Sequence, residues 1–583
     1  MKALKRTLAL LFAASLLALT AACGGTPATT ATPETTKAAE TTKAAETTKA
    51  AETTKAAETD APETDAPETD APETDAPETD APETEAPTAG YETPIRVSMN
   101  VMDAEKNGID ARPQFIEEKF NLTFDYLPVS WGDWNEKIRT WINTGDTPDL
   151  IWWDLKGATA WEYLSWARQG AFTPFTDEDF ANRPQLKNIY ETAESIDALR
   201  CDGTLYAWPS LRDNPPEAQN CYTSNYCYRR DWAQEVGLYK EDDIYTFEEW
   251  EELIAAVLDA GLAEAGLVLP PFGFPHAAVL FISGPPAEGN ETCSYIIDPD
   301  TGKYIWPPAT DAYVAGVKKT YDMYQSGLIW RDNMSFKASE HQDMIQAGQA
   351  FATYNVTGAL NTWTGNMLRD GIIEKREDFG PAIVSGIDGI WYMTQTEDYW
   401  TVTAMSKDID PEAKNRVLDF WDWLITDEGR MVRNFGIEGT DWNWADNEQG
   451  FELLWEFDEA TKDYISPYSE TRFNEATPAE NSRVIVPPGS VTYQYDERDR
   501  VWAAFASGTP KSAIKPFDYQ VSFLSSEYKD QFGSFNVEAK AKLNELIAQP
   551  DIDIEAEWRA WTDSMAPDVQ KVLDELNSIL LGD

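Results

Sequence analysis

The stretch that decides the fold is residues 143–155, NTGDTPDLIWWDL. Gly145 and Pro148 predict a turn, because glycine commonly closes a helix in the left-handed conformation and proline does not continue one. The apolar residues after the turn predict a short strand. This strand ends in two large aromatic side chains and a carboxylate, which are Trp152, Trp153 and Asp154. Since side chains alternate along a strand, we expect the two indoles to lie on opposite faces of a sheet.

The residues before this stretch alternate between strand and helix patterns. Two segments have the alternation of strands and two carry apolar residues at helical spacing; in order they are TPIRVSMNV (93–101), ARPQFIEEKFN (111–121), LTFDYLPV (122–129) and WNEKIRTWINTGD (134–146). This order predicts a parallel, doubly wound α/β sheet. Ligands bind at the carboxyl ends of the strands in such sheets. Trp131, which follows the second strand, and residues 152–154 are therefore predicted to lie at this rim.

The N-terminus has the pattern of a lipoprotein signal peptide, which we place at residues 1–22. Its apolar run, Leu8 to Leu19, follows a basic start and is too short to span a bilayer. The sequence AACGG around Cys23 resembles a bacterial lipobox, in which the cysteine thiol carries a diacylglycerol. Thr20 stands where a leucine is usual. We expect Cys23 to be lipid-modified, the alternative being ordinary secretion with an incidental cysteine.

Residues 23–90 are predicted to be a disordered acidic tether. TTKAAE occurs four times from Thr35 and TDAPE five times from Thr59, and the segment has neither aromatic nor large aliphatic residues to bury. Proline at every fifth residue of the second repeat favours an extended chain. Behind a lipid anchor, such a spacer would hold a folded body, residues 91–583, away from a membrane. A solubilising tail is the simpler alternative.

The charge balance and the cysteine and histidine content exclude several functions. The chain has a formal net charge of −54, of which −45 falls on residues 91–583, so binding to nucleic acid is not expected. Two histidines and the absence of metal-ligand motifs argue against a zinc site or a histidine-based triad. Beyond Cys23, the four cysteines permit one or two disulfides in three connectivities if all pair, and the sequence does not choose among them; they are Cys201, Cys221, Cys227 and Cys293.

Seven motifs over about residues 93–465 resemble, in their order, family 1 of the extracellular solute-binding proteins of bacterial ABC importers. The resemblance is strongest to the oligosaccharide-binding lipoproteins of Gram-positive bacteria (the LipO-like group). The motifs are WNEKIRTWINTGDTPDL (134–150), ARQGAFTPFTD (167–177), DGTLYAWP (202–209), YCYRRDWAQEVGL (226–238), YTFEEWEELIAA (245–256), YDMYQSGLI (321–329) and GIEGTDW (436–442).

The resemblance implies an α/β, two-lobed, periplasmic-binding-protein-like (type II) clamp with discontinuous lobes and a C-terminal helical region. It places lobe 1 at about 91–224 and 354–400, and lobe 2 at about 225–353 and 401–583. The chain would cross between the lobes near 223–228, 351–357 and 400–405. In such a clamp the ligand lies between the lobes, which close by a hinge motion.

The resemblance also implies a binding function without catalysis. We expect no cofactor and assign no metal ligands, and the sequence does not decide whether a metal ion is bound. The protein would be a lipid-anchored monomer on the extracellular face of a cell membrane, in a Gram-positive organism, which captures an oligosaccharide and delivers it to the permease subunits of an ABC importer. DPDTGKY (298–304) superficially resembles a calcium loop but lacks several of its ligands, so a turn between two strands is the preferred interpretation.

Aromatic and carboxylate side chains suit a carbohydrate ligand, because flat rings cover the C–H faces of sugars while carboxylates, amides and arginines bond their hydroxyls. Tryptophans on helical stripes, such as Trp250 and Trp421, are predicted to be core residues. One of Trp152 and Trp153 is expected to face the cleft. The substrate-binding candidates, each with a packing role or, for Arg229, a surface ion pair as its alternative, are Trp131, Trp152, Trp153, Asp154, Arg229, Tyr354, Asn355, Trp363, Trp391, Trp400 and Trp442.

Two other functions fit part of the sequence. A secreted glycoside hydrolase would share the tryptophans and carboxylates, but hydrolysis needs two carboxyl groups about 5 to 9.5 Å apart and no motif marks such a pair. A cell-surface adhesin fits the tether, whereas the α/β pattern of the body disfavours it.

Overall fold

The structure is a computed structural model, and all described residues belong to one compact unit of the chain. It describes residues 91–582 apart from 103–110, 131–132, 156–157, 212–224, 271–294, 299, 337–339, 355–358, 395–396, 446–449, 468–488, 516–517, 525 and 533–534. The predicted signal peptide, Cys23 and the tether therefore lie outside the described residues.

The strands are β1 (Ile95–Met102), β2 (Leu122–Val129), β3 (Leu150–Trp153), β4 (Arg200–Cys201), β5 (Thr204–Leu205), β6 (Ala207–Leu211), β7 (Tyr226–Arg229), β8 (Ile244–Tyr245), β9 (Ala265–Val268), β10 (Ile296–Ile297), β11 (Tyr304–Ile305), β12 (Ala350–Tyr354), β13 (Phe379–Val384), β14 (Trp391–Thr394), β15 (Tyr399–Met405), β16 (Trp442–Trp444), β17 (Phe451–Leu453), β18 (Glu456–Asp458), β19 (Asp463–Ile465) and β20 (Ser512–Lys515).

The helices are α1 (Ala111–Phe120), α2 (Trp134–Thr144), α3 (Ala158–Arg168), α4 (Asp177–Phe180), α5 (Pro184–Thr192), α6 (Glu194–Ala198), α7 (Arg230–Glu235), α8 (Phe247–Asp259), α9 (Asp311–Ser326), α10 (Glu340–Gln346), α11 (Leu360–Arg369), α12 (Pro411–Leu424), α13 (Asp427–Phe435), α14 (Tyr493–Ser507), α15 (Tyr519–Phe523), α16 (Glu527–Gln531), α17 (Phe535–Ile547) and α18 (Ile554–Leu576). Short 3₁₀ turns lie at Pro307–Ala309, Arg331–Ser335 and Arg376–Asp378, and a π turn at Asn577–Leu581.

The first lobe is built on a five-stranded sheet with the order β2-β1-β3-β15-β6. As predicted, β1 pairs in parallel with β2 and β3. β15 enters between β3 and β6 and runs antiparallel to both. Helices α1, α2, α3 and α12 cover the sheet, and their inward side chains, among them Ile116, Ile138, Tyr163 and Phe420, are buried in one continuous core.

The turn before β3 has the predicted chemistry. Gly145 closes α2 with a φ of 81°, and its N–H donates to the carbonyl of Trp141. The Asp149 carboxylate then accepts hydrogen bonds from the backbone N–H of Ser98, at 2.8 Å, and from its hydroxyl, at 2.7 Å. Glycine and aspartate therefore set where β3 begins and fasten it to β1.

The second lobe is built on another five-stranded sheet, with the order β8-β13-β7-β12-β9. β7 runs antiparallel to its two neighbours, while β12 pairs β9 and β13 pairs β8 in parallel. The core of this lobe joins Trp250 of α8, Tyr313 of α9 and Phe351 of β12 with Trp558 of α18. Trp250 and Trp421 are fully buried, one in each lobe, as the helical stripes predicted.

A buried charge network, here called the Arg230 network, ties α14 to the second sheet. The Arg230 guanidinium donates to both oxygens of the Asp243 carboxylate, at 3.0 and 2.8 Å, and to Glu497 on α14 at 2.9 Å. It also donates to the hydroxyl of Tyr493 at 2.9 Å. Burial alone would raise the pKa of the Glu497 carboxyl, but the charges of Arg230 and Arg500 hold it below its ordinary value.

The division of the chain between the lobes differs from the prediction. Residues 354–400 were expected in lobe 1, yet α11 packs in the second lobe and β13 pairs with β7 and β8. Residues from 401 onward were expected in lobe 2, yet β15 lies inside the first sheet and α12 packs on it. The expected crossing near 351–357 is therefore wrong, because β12 leads into more of the same lobe.

The passages between the sheets follow from this pairing. The chain leaves the first sheet at Leu211 and enters the second at Tyr226, which lies close to the expected first crossing. It returns between Val384 and Tyr399, just before the expected third crossing.

The remaining strands form small two-stranded sheets. β10 and β11 pair antiparallel around residues 298–303, which confirms that DPDTGKY is a turn between two strands. The C-terminal helical region that the resemblance implied includes α17 and α18. Within the described part of the chain, no helix is both long and apolar enough to cross a bilayer.

Cys201 and Cys227 are buried in the first and second lobes and are not bridged to each other. This excludes the connectivities that pair these two residues. Cys221 and Cys293 lie outside the described residues.

Candidate functional site

The rim of the first sheet is where β1, β2, β3 and β6 end and β15 begins. Trp152 and Trp153 reach this rim on β3 and point to opposite faces of the sheet, but neither indole is exposed. Parallel strands are normally covered by helices on both faces, and here α2 covers one face and α3 the other. The prediction that one of these indoles faces the cleft is therefore wrong for this conformation.

Trp152 is the centre of a fixed aromatic ladder, which consists of Trp134, Trp152 and Trp400. The ring centroids of Trp134 and Trp152 are 4.1 Å apart, and Trp400 meets Trp152 edge-on at 5.8 Å. The Trp152 indole N–H donates to the Thr401 hydroxyl at 2.9 Å. Asn100 bonds both the backbone N–H and the carbonyl of Trp152, each at 2.8 Å. The ladder is thus held by hydrogen bonds as well as by packing.

Trp153 packs on the other face of the sheet. Its ring centroid lies 5.2 Å from that of Trp166 on α3, and its indole N–H donates to the Asn135 side-chain oxygen at 3.1 Å. These contacts give Trp153 a structural role.

Trp400 is the partly exposed member of the ladder. It lies in β15 where the register with β6 shifts between Tyr399 and Thr401. A β-bulge of this kind redirects a side chain and is common beside functional sites. Of the tryptophans predicted for this rim that the structure describes, Trp400 is the one that is partly exposed.

Carboxylates surround the start of β15. Burial is the main cause that raises the pKa of the Tyr399 hydroxyl well above its ordinary value, and the negative charges of Glu397, Asp154 and Asp398 raise it further. Asp154 is half-buried beside β3, and Asp398 accepts the backbone N–H of Ser195 at 3.2 Å. The rim next to Trp400 therefore combines an aromatic face with hydrogen-bond acceptors.

The rim of the second sheet carries a pair of tyrosines. Tyr354 ends β12 and lies opposite Tyr226, the first residue of the antiparallel β7. Their rings meet edge-on with centroids 5.4 Å apart. The structure thus places the predicted Tyr354 at a rim and adds Tyr226, which was considered only as part of a crossing strand.

Arg229 does not lie at this rim. Because β7 runs antiparallel to β12, its carboxyl end reaches the opposite edge of the sheet, where Arg229 pairs with Phe379. Its guanidinium donates to the Asp231 carboxylate at 2.8 Å and lies over the Trp232 ring at 4.1 Å. Arg229 therefore forms an ion pair, which was the predicted alternative to ligand binding, although its side chain is buried and not at the surface.

Three other predicted residues pack in separate cores. Trp363 lies in the core beneath α11, and Trp391 of β14 packs edge-on against Phe505. Trp442 of β16 donates its indole N–H to the carbonyl of Gly436 at 3.0 Å. All three indoles are buried, and Trp391 packs with Ile383 near the carboxyl end of β13. Trp131 and Asn355 lie outside the described residues, so their roles stay predictions.

Two α/β lobes with aromatic rims at the strand ends define the class of two-lobed solute-binding folds, as the motifs predicted. The chain is similar in sequence to the fructooligosaccharide ABC transporter substrate-binding protein FusA of Streptococcus pneumoniae serotype 4, with 25% identity over 325 residues, 52% of this chain and 56% of the relative. This match spans about half the length of each protein. No family model matches the chain.

Solved structures show the same fold across most of the chain. The alginate-binding protein AlgQ2 aligns with a TM-score of 0.60 and 16% identity over 84% of this chain and 98% of its own. FusA in complex with fructo-nystose, from S. pneumoniae, aligns with a TM-score of 0.57 and 15% identity over 83% and 99%. An extracellular solute-binding protein from Bifidobacterium longum subsp. infantis aligns at 0.56 and 14% identity over 82% and 96%. The two-lobed α/β fold expected from the sequence is confirmed.

Proposed function

We propose that this protein is the extracellular substrate-binding component of an ABC importer and that it captures an oligosaccharide between its two lobes. The observation that carries the proposal is Trp400, a partly exposed indole at a bulge on the first rim, fixed from behind by Trp152 and bordered by carboxylates. The sequence similarity to a fructooligosaccharide-binding transporter protein supports the same class of ligand.

In this proposal, the rims of the two lobes would each contribute to the binding of a sugar. Trp400 would cover an apolar C–H face, while Asp154, which is half-buried beside β3, would accept hydrogen bonds from hydroxyl groups. Tyr354 and Tyr226 are largely buried beneath the second rim and would support the surface that the second lobe presents to the ligand. A ligand that contacts both rims stabilises the closed clamp by the difference in its affinity for the closed and open states.

In this proposal the protein binds and delivers its ligand without chemical change. Closure around the ligand would present both lobes to the permease subunits. A diacylglycerol on Cys23 and the acidic tether of residues 23–90 would hold the monomeric body on the outer face of the membrane. Inhibition of lipoprotein signal peptidase by globomycin should then leave the precursor unprocessed, whereas unchanged processing would contradict the anchor.

A titration with neutral oligosaccharides tests the binding function. Fructo-, xylo-, gluco- and manno-oligosaccharides are added in turn while calorimetry and tryptophan fluorescence are followed, and at least one series should saturate without release of reducing ends. Trp400→Ala should raise the Kd about tenfold, which corresponds to about 1.4 kcal/mol. The matched control is Trp444→Ala, because Trp444 is exposed on β16, which belongs to neither five-stranded sheet.

Two outcomes would contradict the proposal. Release of reducing ends would instead support a glycoside hydrolase. Equal affinities of wild type, Trp400→Ala and Trp444→Ala would show that Trp400 is not the binding platform.

A further inference from the structure

The C-terminal part of the chain passes between the lobes. The Arg230 network holds α14 on the second lobe. α15 then lies against α3 and α6 of the first lobe. α17 and α18 return to the second lobe, where Leu543 and Trp558 are buried in its core. The five-residue helix α15 is therefore a connection between lobes that the motifs did not predict.

α15 contacts the first lobe with some of its side chains and the second lobe with others. Tyr519 and Phe523 pack against the core of the first lobe. Val521 is buried instead with Tyr304 and α18 side chains of the second lobe. Asp518 accepts the backbone N–H groups of the first turn of α15, and its other oxygen accepts the Tyr304 hydroxyl at 2.7 Å. A movement of one lobe relative to the other must therefore be accommodated at α15.

The Tyr519 hydroxyl makes two hydrogen bonds to one residue. It donates to the Asp398 carboxylate at 2.9 Å and accepts the Asp398 backbone N–H at 2.9 Å. Burial and then the charge of Asp398 raise the pKa of Tyr519, so the hydroxyl keeps its proton at neutral pH. Asp398 immediately precedes β15, so Tyr519 fixes the position at which this strand begins.

The bulge that carries Trp400 is held from both sides. On one side Asp398 is bonded to Tyr519, and the Tyr399 hydroxyl donates to the carbonyl of Leu155 at 2.8 Å. On the other side Thr401 accepts the indole N–H of Trp152. Among the contacts named here, the one to Tyr519 comes from the C-terminal region, because Tyr519 lies about 120 residues after Asp398 in the chain.

We propose that Tyr519 is a positioning residue for the Trp400 platform and that α15 couples the ligand site to the C-terminal helices. This inference rests on the proposed function, because it assigns Trp400 to the ligand. Tyr519 acts on binding through the backbone at Asp398 and does not touch the ligand. Loss of its hydroxyl should loosen the bulge while the ring continues to fill its place beside α3 and α6.

The first test is Tyr519→Phe, with Tyr321→Phe as the matched control. The Tyr321 hydroxyl also donates one bond and accepts one, to the carbonyl of Gln549 at 2.9 Å and from the N–H of Ile552 at 3.3 Å, but both partners lie in the second lobe. Tyr519→Phe should raise the Kd about fivefold, the size expected for the loss of one or two hydrogen bonds. Tyr321→Phe should change the melting temperature by about as much as Tyr519→Phe does, but it should leave the Kd unchanged.

The second test is a double-mutant cycle, which separates a positioning role from a general loss of stability. If Tyr519 acts through Trp400, Tyr519→Phe should have no further effect on the Kd in a Trp400→Ala background. An unchanged Kd in Tyr519→Phe, or full additivity with Trp400→Ala, would overturn the inference while the proposed function stands.

A third measurement does not require a ligand. The near-ultraviolet circular dichroism in the tryptophan band, beyond the absorption of tyrosine, should change in Tyr519→Phe because the contact between Trp152 and Trp400 is disturbed, and it should stay the same in Tyr321→Phe. If wild type binds no oligosaccharide, the proposed function fails. The dichroism then decides the positioning role alone, since identical spectra for wild type and Tyr519→Phe would overturn it.

Discussion

The two lobes have sheets of equal size but hold their strands by different means. In the first lobe, uncharged groups brace the strand ends, namely the indoles of Trp134 and Trp152 with Asn100 and Thr401. In the second lobe, the Arg230 network brings an arginine and two carboxylates into the interior. An uncharged brace resists changes in pH and salt, whereas a buried charge network depends on each member being ionised. The uncharged brace around Trp152 is thus less dependent on pH and salt than the Arg230 network, although the carboxylates of Asp149 and Asp398 also hold strands of the first sheet.

Trp152→Ala should have the largest effect on stability. The substitution removes a fully buried indole, its bond to Thr401 and its contacts with Trp134 and Trp400. We expect a loss of about 4 kcal/mol in the free energy of unfolding, measured by urea titration. The loss should be the same at low and high salt, because no charge is involved; a strong salt dependence would break the comparison between the lobes.

Arg230→Met should have the next largest effect, a loss of about 3 kcal/mol in the free energy of unfolding. The substitution leaves Asp243 and Glu497 buried without their shared cation. The control is Arg498→Met, since Arg498 pairs with the exposed Asp499 and should contribute less than about 1 kcal/mol. Equal losses in the two variants, measured by urea titration at pH 7, would show that the network does not stabilise the second lobe.

A pH change should weaken the second lobe through His341. Burial of His341 in α10 lowers its pKa to about 4, against an opposing effect of Asp343. The unfolded chain therefore binds a proton more readily than the folded one, and stability is lost as the pH falls from about 6.5 toward 4. Between pH 7 and pH 5, the protonation of His341 should lower the free energy of unfolding by about 2 kcal/mol.

The measurement for His341 is the difference between wild type and His341→Gln in the pH dependence of unfolding. This difference removes the titration of carboxyl groups that both proteins share. Parallel stability curves for the two proteins would contradict the assignment.

Gly145→Ala should have the smallest effect. The residue has a φ of 81°, and an added Cβ would meet open space, so backbone strain is the sole cost. We expect a loss of about 1 kcal/mol in the free energy of unfolding. Gly380→Ala in the second lobe should cause a larger loss than Gly145→Ala, because the added Cβ would collide with the Arg230 guanidinium. A loss at Gly380 no larger than that at Gly145 would contradict the close packing of the network.

Local patterns in the sequence predicted the first strands and helices and the turn at Gly145. They did not predict that β15 enters the first sheet between β3 and β6, because an antiparallel pairing between residues about 250 apart leaves no mark in local periodicity. The misplacement of residues 401–424 follows from this pairing, and that of residues 354–384 from the pairing of β13 with β7 and β8.

The site was predicted less well than the fold. Strand alternation correctly placed Trp152 and Trp153 on opposite faces, but it does not reveal whether helices cover those faces. Trp400 was a candidate from the sequence, whereas the bulge that directs it was not visible there. Tyr226 and Tyr519 gain their roles from partners distant in the sequence, Tyr354 and Asp398, so neither carried a local signal.

The entry of β15 into the middle of the first sheet has a consequence for the order of folding. The strands of the second sheet all lie within residues 226–384, so that sheet can assemble as soon as this part of the chain exists. The first sheet begins at residue 95 but lacks an inner strand until residue 405. During synthesis from the N-terminus, the sheet that starts first is therefore completed last, and β6 must wait unpaired for β15 while the second sheet forms.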